Sequence, residues 1–284
     1  MNKKMDLPAY LSQEEIAQQV SLALAEDIGP GDLTASLIPE DEHSAAKLIT
    51  REAAVIAGIP WADEVFAQLD DAIKIDWQVK DGDTVKANDT LAIITGPSRA
   101  ILTGERTAMN FLQTLSGTAT ITHEYVKTVE GTGVKLLDTR KTLPGLRKAQ
   151  KYAVLCGGGH NHRVGLYDAI LIKENHIVAA GSITNAVNHL KELHTDVMVE
   201  VEVESLEELQ EALNVRVHRI LLDNMDNEMM KQAVAITAGR AELEASGGVS
   251  MQTLRTIAET GVDYISIGSL TKHVTAIDLS MRFQ

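Results

Sequence analysis

Apolar residues recur at helical spacing at Ile16, Val20 and Leu24, directly behind the pair Ser12 and Glu15. A serine with a glutamate three residues on can close a reciprocal capping box, so a helix opens there, and Gly29 is a natural stop. Segments 45–58 and 72–95 read instead as short strands and turns. Within the second, VKDGDTVKANDTLAIITGP has the strand and Asp-Gly-turn rhythm of a biotinyl or lipoyl module, but lacks the hairpin lysine that carries such a cofactor, so it reads as scaffold. Helical periodicity returns from Thr103 to Val129, with Met109, Leu112 and Leu115 on one side and Arg106 near the start.

Beyond that point short apolar runs alternate with helix-like segments. The runs are VKLLD, AILIK, VMVEVEV, RILLD, ELEAS and DYISI, and helices are predicted at 184–194, 205–213, 226–238 and 250–260. Ser205 with Glu208 forms a second capping-box pair. Late in the chain the repeat is about 22 residues, short for a doubly wound sheet and comfortable for an α/β barrel. Every run ends in a polar group: Asp138-Thr139-Arg140-Lys141, Lys173, Glu202 and Glu204, Asp223-Asn224, Ser246-Gly247-Gly248, and Gly268-Ser269. In a barrel these C-terminal strand ends converge on one mouth, where active sites lie. Side chains alternate along a strand, so VEVEVE puts Glu200, Glu202 and Glu204 on one face.

Charge sharpens the picture. The 284-residue chain carries a formal net charge of −14, yet Asp138 to Lys173 holds seven cations against two acids. The overall acidity argues against nucleic-acid or anionic-membrane partners, which need a broad basic face. A local basic cluster suits a small anionic ligand. Lys148 and Lys151 read as solvated helix charges; Arg163 and Lys173 read as functional; spacing does not rank His160 against His162. The lone Cys156 allows no internal disulfide or zinc spacing and reads as a small buried residue. With no apolar signal core and no run of 18 apolar residues, a cytoplasmic protein is expected.

The glycine-bearing ends Ser246-Gly247-Gly248 and Gly268-Ser269, each ahead of a helical segment, suit a phosphate cradled by backbone N–H groups. Glu202 and Asp223, on neighbouring strands, suit Mg²⁺ or ribose hydroxyls. Arg140, Lys141, His162, Arg163 and Lys173 face them, and guanidinium groups grip carboxylates in bidentate fashion. A Schiff-base aldolase using Lys173 is the rival reading, but it leaves Glu202 and Asp223 idle.

The stretches EDIGPGDLT, GERTAMNFLQTLSG, DTRKTLPGLR, CGGGHNHRVGLYDAILIKENH, VEVEVE, LLDNM, EASGGV and ISIGSLTKH, in that order, resemble the quinolinate phosphoribosyltransferase family. The resemblance implies an N-terminal α/β sandwich over 1–107 and an open α/β barrel of seven strands over 108–270, with 271–284 packing back on the first domain. Only six strands are read from the pattern, so the seventh is expected near Val154. It also implies transfer of a phosphoribosyl group from phosphoribosyl pyrophosphate to quinolinate with decarboxylation, in NAD biosynthesis, with Mg²⁺ as cofactor. The family's quinolinate-binding positions fall on Arg106, Thr139, Arg140, His162, Arg163 and Lys173. Its phosphoribosyl positions fall on Lys141, Glu202, Asp223, Ser246, Gly247, Gly248, Gly268, Ser269 and His273, with the metal on Glu202 and Asp223. Lys141, Lys173, Glu202 and Asp223 would be catalytic. A homodimer or higher oligomer is implied in which Arg106 reaches the neighbouring subunit's site. A relative recruited to another task is the remaining alternative.

Overall fold

In the computed structural model, which describes residues 6–193 and 197–284, the first helix, α1 (Gln13–Ile28), starts at the expected box. Ser12 Oγ accepts from Glu15 N–H at 3.2 Å, while Glu15 Oε2 accepts from Ser12 N–H at 3.0 Å. Ile16, Val20 and Leu24 are buried, and Gly29 caps the end. Strands β1 (His43–Thr50) and β2 (Ala54–Val55) precede α2 (Ile59–Leu69), which buries Trp61, Val65 and Phe66. Then come β3 (Lys74–Trp77), β4 (Thr84–Val85) and β5 (Thr90–Pro97). Their turns are closed by aspartates: Asp83 Oδ2 accepts from Lys80 N–H at 3.0 Å and Asp89 Oδ2 from Lys86 N–H at 2.8 Å. The cofactor-module rhythm is therefore turn chemistry serving a scaffold.

The long α3 (Ser98–Thr128) follows, burying Met109, Leu112 and Leu115 as its periodicity predicts. After it come β6 (Lys135–Leu137), α4 (Arg147–Cys156), β7 (Ala169–Ile172), α5 (Glu174–Ala180), α6 (Ile183–Glu192), β8 (Met198–Val203), α7 (Leu206–Asn214), β9 (Arg219–Asp223), α8 (Asn227–Thr237), β10 (Glu242–Ser246), α9 (Met251–Ala258), β11 (Tyr264–Ser266), α10 (Ser269–Lys272) and β12 (Leu279–Phe283). The second capping box is only half formed. Ser205 Oγ accepts from Glu208 N–H, but the Glu208 carboxylate accepts from Glu204 N–H, one residue before the cap.

The chain divides into two compact units. The first comprises residues 1–123, 142–158 and 269–284; the second comprises 124–141 and 159–268. In the first, β12, β1, β5 and β3 form an antiparallel sheet in that order, so the C-terminal strand pairs with β1, Ala46 opposite Phe283. The first unit's core includes Ile16, Leu48, Trp61, Ile94, Leu112 and Tyr152. Helix α3 comes so close to the chain near Thr275 that a Cβ on Gly117 would lie 2.1 Å from the Thr275 carbonyl oxygen, which explains a glycine inside a helix. Two readings are corrected here. Lys151 is fully buried rather than solvated, and Lys148 ion-pairs with Glu15. Cys156 is buried, as expected.

The second unit holds six parallel strands in the order β6-β11-β10-β9-β8-β7, an open barrel-like sheet rather than a doubly wound one. Val154 lies in α4, so the strand expected there is absent. A single parallel bridge instead joins His160 to Leu137 on the free side of β6, with His160 N–H donating to Leu136 O at 2.8 Å and Asp138 N–H donating to His160 O at 3.1 Å. A strand one bridge long carries no hydrophobic run, so periodicity has nothing to detect. β8 is flanked by β7 and β9, so its glutamates stand on an interior strand and not on a solvated sheet edge. They sit at three depths instead: Glu200 is buried, Glu202 is half-buried and Glu204 is exposed.

Candidate active site

A cavity of about 460 Å³ opens at the C-terminal strand ends of the second unit. It is lined by Thr139, Arg140, Lys141, His162, Arg163, Leu171, Lys173, Glu202, Leu221, Asp223, Asn224, Glu244, Ser246, Gly247 and Ser266. Thus ten residues proposed from sequence meet in one place. They come from six strand ends, those of β6, the His160 bridge, β7, β8, β9 and β10, because parallel strands lead their C-termini to the same rim. Gly248 adjoins Gly247, and Gly268 packs against Lys141, whose Cδ would be 3.1 Å from a Cβ there. Arg106, Ser269 and His273 belong to the first unit: Arg106 is exposed on α3, Ser269 opens α10, and His273 is exposed just after it. Of the seven cations in the basic window, Arg140, Lys141, Arg163 and Lys173 line the cavity; Arg147, Lys148 and Lys151 stand on α4 in the first unit.

One wall is cationic. Arg140 Nε is buried without an acceptor from the protein, and burial together with the neighbouring Arg140 charge depresses the Arg163 guanidinium. Two cations held side by side favour an anion between them. The irregular segment bearing Arg163 is tied down by carboxylates: Asp138 Oδ1 accepts from His162 N–H at 2.9 Å, and Asp168 accepts from Val164 and Gly165 N–H at 2.7 and 2.8 Å.

The opposite wall is acidic. Burial and the adjacent Glu202 charge raise Asp223, opposed by Lys173 and Lys141. Lys173 ion-pairs with Glu202, and Asn224 Nδ2 donates to Asp223 Oδ2 at 2.7 Å. Next to them, Gly247 has φ +94°, and a Cβ on it would fall 2.1 Å from Asn224 Oδ1. Only glycine fits this turn, which leads through Gly248 to the Ser250 cap of α9.

Below the mouth lies a buried ionic layer that the sequence reading overlooked. His162 Nε2 is 2.8 Å from Glu200 Oε2 and 3.5 Å from Glu244 Oε2, and Arg219 Nη1 is 3.4 Å from Glu244 Oε2. Arg219 also stacks 3.9 Å over the Tyr264 ring and pairs with Glu242 at 3.0 Å. Burial and the Glu200 charge push Glu244 up to about 7. The polar ELEAS run in a parallel strand was the available signal for Glu244. Asn224 was marked only as part of the polar end Asp223-Asn224, and nothing in the pattern marks Ser266.

An open parallel barrel whose mouth pairs a wall of arginines and lysines with two carboxylates and a glycine turn before a helix is built to hold two different anions at once. The comparisons agree on one family. Residues 32–116 match the quinolinate phosphoribosyl transferase N-terminal domain and residues 118–282 its C-terminal domain. The chain belongs to the quinolinate phosphoribosyltransferase family. It is 42% identical to a chloroplastic nicotinate-nucleotide pyrophosphorylase [carboxylating] of Arabidopsis thaliana, over 93% of this chain and 81% of that protein. It is 40% identical to a probable nicotinate-nucleotide pyrophosphorylase [carboxylating] of Bacillus subtilis, over 90% and 89%. The solved structure of the nicotinate-nucleotide pyrophosphorylase from Francisella tularensis superposes with a TM-score of 0.93 at 46% identity, covering 99% of this chain and all of that one.

Proposed function

We infer that the protein transfers a phosphoribosyl group from phosphoribosyl pyrophosphate to quinolinate with loss of CO₂, giving nicotinate mononucleotide and pyrophosphate. The observation that carries this reading is the two-walled cavity in a member of this family. Quinolinate is a pyridine with two adjacent carboxylates. Arg140, Arg163 and Lys173 supply the charge to hold both, and the buried, unpaired Arg140 Nε supports an anionic guest.

Glu202 and Asp223 provide hard oxygen donors on adjacent strands, the donor chemistry Mg²⁺ prefers when it also binds substrate phosphates. Bound there, Mg²⁺ would screen the pyrophosphate charge. Ser246, Gly247 and Gly248 offer backbone N–H groups toward the 5′-phosphate, and Lys141 adds a cation. As the ribosyl–pyrophosphate bond loosens, positive charge grows on the sugar ring, and the Glu202 and Asp223 carboxylates stabilise it. The ring nitrogen then bonds C1′. The positive charge of the resulting pyridinium nitrogen stabilises the electron pair left on C2 when the 2-carboxylate departs as CO₂, and C2 then takes up a proton to give the product. Lys173 or Lys141, both lining the cavity, would steady the developing carbanion. Lys173 is engaged with the Glu202 carboxylate rather than standing free as an amine nucleophile, which argues against an aldolase.

A homodimer or larger homo-oligomer with Arg106 of one subunit completing the other's site fits an exposed arginine on α3. No helix among the described residues is long and apolar enough to cross a membrane, in keeping with a cytoplasmic location. The test is direct: incubate with quinolinate, phosphoribosyl pyrophosphate and Mg²⁺, and follow nicotinate mononucleotide. A site built for a diacid leaves cations unpaired with a monoacid, so nicotinate should be poorer by about 10⁴-fold. Comparable turnover of the two acids overturns the assignment.

A further inference from the structure

The backbone N–H of Arg163 is tied differently from its neighbours. Those of His162, Val164 and Gly165 donate to carboxylates, whereas that of Arg163 donates to His162 Nδ1 at 2.8 Å. A ring nitrogen can accept only when it carries no proton, so the imidazole proton sits on Nε2. His162 is 9% exposed, and a buried Nε2–H needs an acceptor. The groups facing it are Glu200 Oε2 at 2.8 Å and Glu244 Oε2 at 3.5 Å, close electrostatic contacts in which neither Glu200 oxygen accepts a well-aligned hydrogen bond. Arg219, itself against Glu244, keeps that acid layer charge-compensated.

We propose that Glu200 and Glu244 are positioning residues that act through His162 to set Arg163 in the acid-binding wall. Resting on the quinolinate reading above, the role is remote from the substrate. The carboxylates hold the ring in one orientation and tautomer, and the ring's other nitrogen holds Arg163. Without the inner acceptor, a half-turn of the ring exchanges Nδ1 for a carbon and releases the Arg163 N–H. His162 then serves the wall as a strut, its Nδ1 accepting from Arg163 and its Nε2 lying against the Glu200 carboxylate. A metal ion is the competing use of this trio, whose ligand atoms lie within 4.8 Å of one another. Metal on Nε2 requires Nδ1–H as an outward donor, the reverse of what Arg163 demands, and Arg219 already supplies a cation to Glu244.

Two sets of substitutions test the idea. Glu200→Leu removes the acceptor, and Glu200→Gln restores one. His162→Phe removes Nδ1, whereas His162→Asn places an amide oxygen near it that can accept from Arg163 without help from Glu200. The expected pattern is a quinolinate KM raised about tenfold or more in Glu200→Leu and His162→Phe, the cost of one good hydrogen bond. The phosphoribosyl pyrophosphate KM should change less than about twofold, Glu200→Gln should lie near wild type, and His162→Asn should recover a large part of what His162→Phe loses. Long-range ¹H–¹⁵N correlation of the imidazoles should show His162 as the Nε2–H tautomer in wild type and Glu200→Gln. If Glu200→Leu does not fold, the His162 pair and the wild-type spectrum still decide. Loss of quinolinate binding in His162→Asn equal to that in His162→Phe overturns the proposal, since it means direct contact with substrate. So does an Nδ1–H tautomer, or stoichiometric Mn²⁺ or Zn²⁺ in the purified protein that Glu200→Gln abolishes. Wild type inactive on quinolinate refutes the substrate reading instead, and leaves the tautomer measurement to judge the strut.

Discussion

Replacing Gly247 by alanine tests whether the turn at the end of β10 is built as described. The backbone there has φ +94°, which L side chains rarely adopt, and the strain costs about 1–2 kcal/mol. The added Cβ would also lie 2.1 Å from Asn224 Oδ1 and 2.7 Å from its Cγ, so the Asn224 side chain must swing away. That breaks its 2.7 Å bond to Asp223 Oδ2, an exposed charge-assisted contact contributing about 1 kcal/mol. The expected destabilisation is about 2–3 kcal/mol, or a melting temperature lower by about 4–12 °C for a unit of this size. Because Asp223 and the Ser246-Gly247 backbone shift together, the phosphoribosyl pyrophosphate KM should rise about tenfold, while quinolinate binding stays close to wild type. The double variant Asn224→Gly, Gly247→Ala removes the obstructing side chain from a position with φ +53°, which glycine tolerates, and should recover part of the loss. Scanning calorimetry and initial rates at varied phosphoribosyl pyrophosphate measure both. A single variant melting within about a degree of wild type, or a double variant worse than the sum of its parts, would refute the reasoning.

Three further outcomes follow from the geometry. Glu202→Ala and Asp223→Ala should lower kcat by about 10²-fold or more with melting temperature and quinolinate affinity little changed; a parallel loss of fold would make both residues structural. Arg106→Ala and Lys173→Ala should each be nearly inactive, yet after subunit exchange about a quarter of wild-type activity should return, because half the dimers are mixed and each then has one intact site; exchange confirmed by mass without recovery contradicts a shared site. Asp81 is buried against Tyr152 Oη at 2.6 Å and accepts from Ile59 N–H at 3.2 Å, and burial raises its carboxyl from 3.8 to about 6. The folded state thus holds this proton more tightly than the unfolded state, so its contribution is full below pH 3.8 and is lost as pH rises through about 6. Relative to Asp81→Asn, wild type should lose about 3 kcal/mol between those values and nothing more above them, and equal pH profiles by calorimetry would exclude the effect.

Much was legible in the sequence because local rules carry it. The Ser12–Glu15 box, the Ile16-Val20-Leu24 stripe and the alternation of apolar runs with helices depend on spacings of two to four residues, which no tertiary contact needs to rewrite. The strand-end residues Arg140, Lys173, Glu202 and Asp223 were predictable as a group, since parallel connections force successive strand ends to one rim. Other features were settled only by contacts between distant segments. The seventh sheet position is one bridge at His160, too short to leave a pattern. Lys151 reads as a surface charge on α4 and is fully buried, which the spacing along α4 does not announce. The VEVEVE face was evident, but not that its first glutamate faces His162 inside the barrel while its second lines the cavity and its third meets solvent. Alternation along a strand determines which face a residue takes; how deep it lies is decided by the curvature of the open barrel-like sheet and by what the neighbouring strands place beside it.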